Sequence, residues 1–523
     1  MTKPTPRFAF GCQKHSAARV CACVLLFCTL LGTTARLDCY AAPNSEVLTR
    51  FERHIRRLGR LPEDRIPILL WQSSGFPTGL ESGRVEKNQR VFVDRGCIPL
   101  CNPCTTPNRT LKYVPVFKYW QSRGVPVCFL PQGWLQKLFN EDRSGISQCL
   151  HHNPETQDSR FSCPAAMRKI AAQSEHGQRV RQTLELLRQH DIKVRLVVLD
   201  FESGPYLRNL EEREERVLEQ IARAIRCERC RDTMAPAALN HPAGFANIVN
   251  DVRAETIRNL FVEPARSVFP SIHTANFFAW PVERHPPQPG RWPAYGYENS
   301  GLNVAMPRVY LPPGWGGAGT RQDKMNWNAF RACLASFSAA ASVIKENELL
   351  IPWIHAWLGG RYLDRSMQGH KVPEIWVMKE MACHMMLRGA ESFAIWPGDL
   401  IGDFPDDFPY PEFADMGQLV YDVKGVQEGY AEMLQYHEFL RTAKPITFDV
   451  PGEFNRLGAG TATWSGMQDG HAALVRTTSF AERESTEVIS VFNRRVKVTF
   501  GPRGRNFWVS PDGTVSPASN ENQ

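Results

Sequence analysis

The stretch VRLVVLDFES, residues 194–203, decides how the chain is read. Five of its first six residues are apolar, the pattern of a strand covered on both faces. The run then ends in two acids, Asp200 and Glu202, on either side of Phe201. Side chains alternate along a strand, so the acids share a face with Leu196 and Val198, while Leu199 and Phe201 face the other way. Unpaired charge is costly to bury, so the acids belong at the end of the strand, where it opens to solvent or to a ligand.

Similar runs recur on both sides of this one. IPILLW (66–71), VPVCFL (125–130), SVFPSIHTANFFAW (267–280), LNVAMPRVYL (302–311), LLIPWIHAWL (349–358) and ESFAIWPG (391–398) read as strands, with RVFVD (90–94) as an extra one. Helical spacing fills 166–190, 207–230, 243–263, 323–347, 372–388 and 414–441. Apolar strands alternating with helices predict a parallel sheet with helices outside, and seven or eight such units predict a closed (β/α)7–8 TIM-like barrel. No G-x-G-x-x-G follows the first strand, so an open dinucleotide-binding sheet has no support. Past Pro445 the strands become short and alternating, separated by turn residues, which predicts a small antiparallel β-sandwich. The expected domains are a barrel over 42–444 and a β domain over 445–523.

Residues 1–41 read as a signal peptide, with Lys3, Arg7, Lys14 and Arg19 before the apolar run VCACVLLFCTLLG. That run spans residues 20–32, short of the roughly 20 residues that cross a bilayer. The expectation is therefore an exported chain (periplasmic, cell-surface or secreted) with no membrane span after cleavage. Removal of this segment takes away five basic residues and one acid, leaving 57 basic and 53 acidic residues. So even a balance gives no electrostatic case for nucleic acid. Ten cysteines follow residue 41, an even number that fits disulfides in an exported protein. CIPLCNPC (97–104) with CERC (227–230) also permits a four-thiolate zinc site.

In a barrel the C-terminal ends of the strands form the catalytic face, which is where Asp200 and Glu202 fall. Two neighbouring carboxylates cannot both ionise freely, so one holds its proton, as a general acid must. No acid closes LLIPWIHAWL, and Asp399 after ESFAIWPG is the best-placed second carboxylate. Trp71, Trp280 and Trp396 lie at or just past strand ends, where aromatic faces suit sugar rings. His273 and His355 raise a rival reading, a metal held with the two acids, although no H-x-H or H-E-x-x-H motif accompanies them.

The order of motifs resembles that of the hyaluronidases. LDFES resembles their strand-end D-x-E, MPRVYLP (306–312) their Tyr-Leu-Pro strand end, and GAESFAIWPG (389–398) their closing strand. The resemblance implies a barrel glycosidase with substrate-assisted catalysis. Glu202 would be its acid/base, Asp200 would orient the substrate's acetamido group, and Tyr310 and Trp396 would line the sugar site. HTANFFAWP offers Asn276 and Trp280 as further substrate contacts. The expected function is thus a glycoside hydrolase cleaving a polysaccharide or glycosaminoglycan-like substrate without a cofactor. The alternative is a non-catalytic carbohydrate-binding or cell-surface protein on a degenerate barrel.

Overall fold

The apolar runs become the staves of a parallel barrel. The computed structural model describes residues 43–71, 84–103, 107–131, 135, 164–201, 227–233, 242–278, 297, 299–311, 322–356, 374–396, 416–446, 448, 462–481 and 483–518. Residues 1–41, read from the sequence as a signal peptide, lie outside these residues, and Val47–Gln523 form one compact unit. The barrel strands are β1 (Ile68–Trp71), β2 (Cys97–Leu100), β3 (Val127–Phe129), β4 (Val194–Leu199), β5 (His273–Phe278), β6 (Val304–Leu311), β7 (Leu349–Leu350), β8 (Trp353–Ala356) and β9 (Ala394–Ile395). Every pairing among them is parallel, in the order β2-β1-β9-β8-β6-β5-β4-β3. A bridge between Cys101 and Phe129, with the Leu130 N–H donating to the Cys101 carbonyl at 2.9 Å, joins the two ends and closes the ring. β7 and β8 both pair with β6 and form one stave broken at Ile351-Pro352, so the barrel has eight staves. Among the described residues the helices before the last stave are α1 (Pro43–His54), α2 (Val85–Val93), α3 (Pro107–Ser122), α4 (Pro164–Gln173), α5 (His176–Gln189), α6 (Glu228–Thr233), α7 (Pro242–Ile257), α8 (Glu263–Val268), α9 (Gln322–Ala341) and α10 (Ile375–Met386). A π-helical turn, Arg258–Val262, joins α7 to α8, and α11 (Gly417–Leu434) and α12 (His437–Thr442) follow the last stave.

Three expectations need correction. RVFVD is not a strand, because it lies at the end of α2. Val85, Gln89 and Phe92 recur there at helical spacing, and the buried Gln89 accepts a hydrogen bond from Trp120 Nε1 at 3.0 Å. The second stave is instead CIPL, the start of the cysteine-rich CIPLCNPC that had suggested disulfides or zinc. Cys97, Cys101, Cys128 and Cys383 are buried thiols outside any disulfide. Burial pushes the Cys128 thiol up to about 12 and raises the other three, so all four stay protonated and serve as small core residues. Any disulfides therefore do not involve these four. The expected helix 166–190 is also divided, with α4 and α5 meeting at Ser174-Glu175.

The C-terminal sheet has the order β10 (Lys444–Pro445), β11 (Ala462–Gln468), β12 (Ala473–Ser479), β15 (Arg505–Val509) and β16 (Val515–Pro517), with antiparallel pairings throughout. The hairpin of β13 (Ser485–Val491) and β14 (Arg494–Phe500) turns through Phe492 and Asn493, at φ 51 and 58°. Left-handed backbone at both residues suits a two-residue turn that follows the twist of its strands. Val475, Ile489, Val491, Val496, Val498 and Phe500 pack between the hairpin and the sheet, forming the sandwich core.

The other face of this sheet packs on α10. β12 is buried along its whole length although it reads ALVRTTS, so its polar groups need partners. Glu380 of α10 and Glu432 of α11 meet Arg476. Its Nε and one terminal nitrogen donate to the Glu380 carboxylate at 2.7 and 2.6 Å, and the other terminal nitrogen donates to Glu432 at 2.6 Å. Beside this pair, His384 Nδ1 meets Ser465 Oγ at 2.8 Å and Nε2 meets Thr478 Oγ1 at 3.0 Å. α11 also packs closely on α10, because a Cβ at Gly429 would sit 2.5 Å from the Lys379 carbonyl oxygen.

Burial, with the charges of Arg476 and Arg388, holds His384 well below the ordinary histidine range, so it is neutral in the fold. In the unfolded chain it takes up a proton near its ordinary pKa of about 6.5, so the unfolded state binds more protons below that pH. The stability held by neutral His384 is complete above about pH 6.5 and is lost as pH falls below it, at up to about 1.4 kcal/mol per pH unit. His384→Gln is therefore expected to flatten the acid side of the stability profile, checked by urea unfolding of both proteins between pH 5 and 7.

Candidate active site

The barrel lumen is identified by three rings. Trp353 on β8 meets Trp71 on β1 edge-to-face at 5.5 Å and Phe277 on β5 at 5.8 Å. These strands are not neighbours in the sheet, so the rings meet inside the barrel. Phe277 and Ala275 thus face the lumen. The parallel register pairs Val198 with Ala275 and Leu196 with His273, so Leu196 and Val198 face it as well. Asp200 continues this column just past the end of β4 and is 8% exposed. It is a carboxylate held at the C-terminal mouth of the barrel, above a hydrophobic column.

The opposite face is fixed in place. The Arg253 guanidinium, from α7, lies 5.2 Å from the centre of the Phe201 ring and donates to the Phe201 carbonyl. Phe201 therefore faces the outer helices, as the alternation requires. Asn276 completes the brace. Its Oδ1 accepts the Phe201 N–H at 2.8 Å, and its Nδ2 donates to the carbonyls of Phe201 (3.3 Å) and Phe277 (3.0 Å). Asn276 is fully buried, and these bonds make it a support for the strand end that carries Asp200. Asn276→Ala leaves the buried Phe201 N–H without its acceptor, which is expected to cost about 1–3 kcal/mol. Denaturant midpoints of the two proteins measure it.

A second group of polar and aromatic residues closes the seventh and eighth staves. His355, near the end of β8, places Nδ1 2.8 Å from Asp422 Oδ2 of α11, and both side chains are fully buried. The partly buried Trp396, directly after β9, meets the His355 ring edge-to-face at 5.4 Å. Tyr310 occupies the register position beside His355 on β6. Asp422 was not foreseen. It is 67 residues from His355 in sequence, in the middle of a helical pattern that gives no sign of the contact.

The remaining expected residues divide clearly. Trp71 is a lumen core residue, buried against Trp353. Glu202, Trp280 and Asp399 lie outside the described residues. His273 opens β5 at the N-terminal end of the barrel, whereas His355 sits near the C-terminal end of its stave, so the two do not converge on one metal. Burial, with Arg195 and Arg266 nearby, lowers His273 to about 4. Among the described residues no group of three or more His, Cys, Asp or Glu side chains is arranged to hold a metal ion, and no helix is long and apolar enough to cross a membrane.

No protein-family model matches the chain, and no curated protein matches it. Among solved structures it is similar to a cyclic α-maltosyl-(1→6)-maltose hydrolase from Arthrobacter globiformis, at 10% identity over 88% of this chain and 93% of that one, with a TM-score of 0.40. It is also similar to isomaltulose synthase from Erwinia rhapontici, at 9% identity over 88% of this chain and 100% of that one, with a TM-score of 0.44. A debranching enzyme from Nostoc punctiforme gives 9% identity over 85% of this chain and 98% of that one, with a TM-score of 0.40. The assignment of the chain as an eight-staved β/α barrel with a C-terminal β-sandwich rests on its own strand order and register.

Proposed function

We propose that the chain is a glycoside hydrolase cleaving a polysaccharide at the C-terminal mouth of the barrel, with Glu202 as general acid/base and Asp200 as its orienting partner. One observation carries this reading. Asp200 is buried on the lumen column at the end of β4, while Arg253 and Asn276 pin the intervening Phe201 backbone and ring on the other side. Glu202 is the next acid that the alternation of the sequence assigns to the same face as Asp200. A neighbouring carboxylate raises the proton affinity of the acid, which suits protonation of a glycosidic oxygen. Asp422 is engaged by His355 and does not offer itself as a nucleophile. The hyaluronidase resemblance implies a substrate-assisted route, in which an acetamido oxygen attacks the anomeric carbon while Asp200 orients the amide. Trp396, Tyr310, Trp280 and Asp399 belong to the proposed sugar site. The proposal includes export of the chain after removal of residues 1–41.

The test is incubation of the chain with neutral, amino-sugar and uronic-acid polysaccharides, measuring new reducing ends. Cleavage of an N-acetylated glycan is expected. Sugar binding without cleavage of any of them would leave a carbohydrate-binding protein.

A further inference from the structure

At the other end of the barrel, the loops that lead into β1, β2 and β3 enclose a cleft of about 410 Å³. Arg57, Arg60, Arg65 and Arg123 line it, with Asp94 as the one acid among its lining residues. The pairings do not cancel this charge. Arg65 is held by Glu391 at 2.9 Å and Arg60 by Glu63 at 2.5 Å. Asp94 is shared by Arg90 at 3.3 Å and Arg123 at 3.6 Å. Among the described residues no acid pairs with Arg57, which is exposed. The cleft therefore keeps a positive excess after every ion pair is counted.

Its shape is equally specific. Gly124, at φ 70°, turns the chain from α3 into β3, and the Arg60 guanidinium lies against it where a Cβ would come within 2.9 Å. Leu61, Val93, Val125 and Pro126 supply an aliphatic lining. The volume is that of a site for a small organic molecule and exceeds what a bare oxyanion fills. Guanidinium groups bind tetrahedral oxyanions through paired N–H donors, and an aliphatic lining suits the body attached to the anion.

We propose that this cleft is a second binding site, for a phosphate or sulfate monoester on a sugar-sized body, on the face opposite the proposed catalytic mouth. The site stands on its own residues and does not depend on hydrolysis. The test is calorimetric titration of the full chain with glucose 6-phosphate, glucose 6-sulfate and inorganic phosphate. Saturable one-to-one binding of at least one ester is expected, at least about tenfold tighter than inorganic phosphate. Arg57→Gln and Arg123→Gln, both at exposed positions that leave the fold intact, should each weaken it at least about fivefold. Absence of saturable ester binding, or an affinity in both variants equal to that of the unmodified chain, would overturn the site. Inorganic phosphate binding as tightly as the esters would overturn the role given to the aliphatic lining.

Discussion

Glu202→Gln is expected to lower turnover of the cleaved glycan by about 10³-fold while leaving its binding intact. Positioned proton transfer contributes about 10²–10⁴-fold to such reactions, and a 10³-fold loss corresponds to about 4 kcal/mol of transition-state stabilisation. Glutamine keeps the size of the side chain and its capacity to accept hydrogen bonds, but it cannot deliver a proton to the leaving oxygen. The loss should therefore fall on kcat, with KM changed little. Asp200→Asn should behave differently, because the neighbouring charge that raises proton affinity at Glu202 is removed. Its expected mark is a downward shift of the basic limb of the pH–rate profile, since an acid with lower proton affinity deprotonates at lower pH. Steady-state kinetics of the two variants across pH separates the roles.

Glu380→Ala is expected to cost the fold about 3 kcal/mol. Arg476 is fully buried and gives Glu380 two charge-assisted hydrogen bonds, and the Thr478 hydroxyl donates a third contact at 2.7 Å. Removing one partner of a buried ion pair costs about 3–5 kcal/mol because the other charge is left in a medium that solvates it poorly. Glu432 still reaches Arg476 at 2.6 Å, which places the loss at the lower end. Adding Arg476→Met to Glu380→Ala should recover part of the stability, because no orphaned charge remains. Urea unfolding of the single and double variants measures this. A double variant less stable than Glu380→Ala would show that the ion pair is not the source of the loss.

Most of the barrel was legible because its staves are covered on both faces and so read as continuous apolar runs. β4 showed its end as well, since the change from VRLVVL to DFE marks where cover stops. β2 was hidden because CIPL is short, contains a proline and lies within a cysteine-rich stretch. Val91-Phe92-Val93 imitated a strand just before it, although Val85, Gln89 and Phe92 belong to one helical face. The polar partners were less legible. Arg476 sits in an alternating strand pattern, and only the approach of α10 reveals that it is enclosed. Asn276 carries a side chain suited to binding sugar, yet its amide is occupied by the Phe201 backbone, a contact made across 75 residues. The basic cleft draws on three separate loops, so no local charge run announces it.

The most direct measurement is the initial rate of reducing-end release by the full chain and by Glu202→Gln on the same panel of polysaccharides. The expected result is release from at least one N-acetylated glycan by the unmodified chain and a rate about 10³-fold lower for the variant. Equal rates for the two proteins, or no release from any polysaccharide by the unmodified chain, would contradict a hydrolytic site at the end of β4.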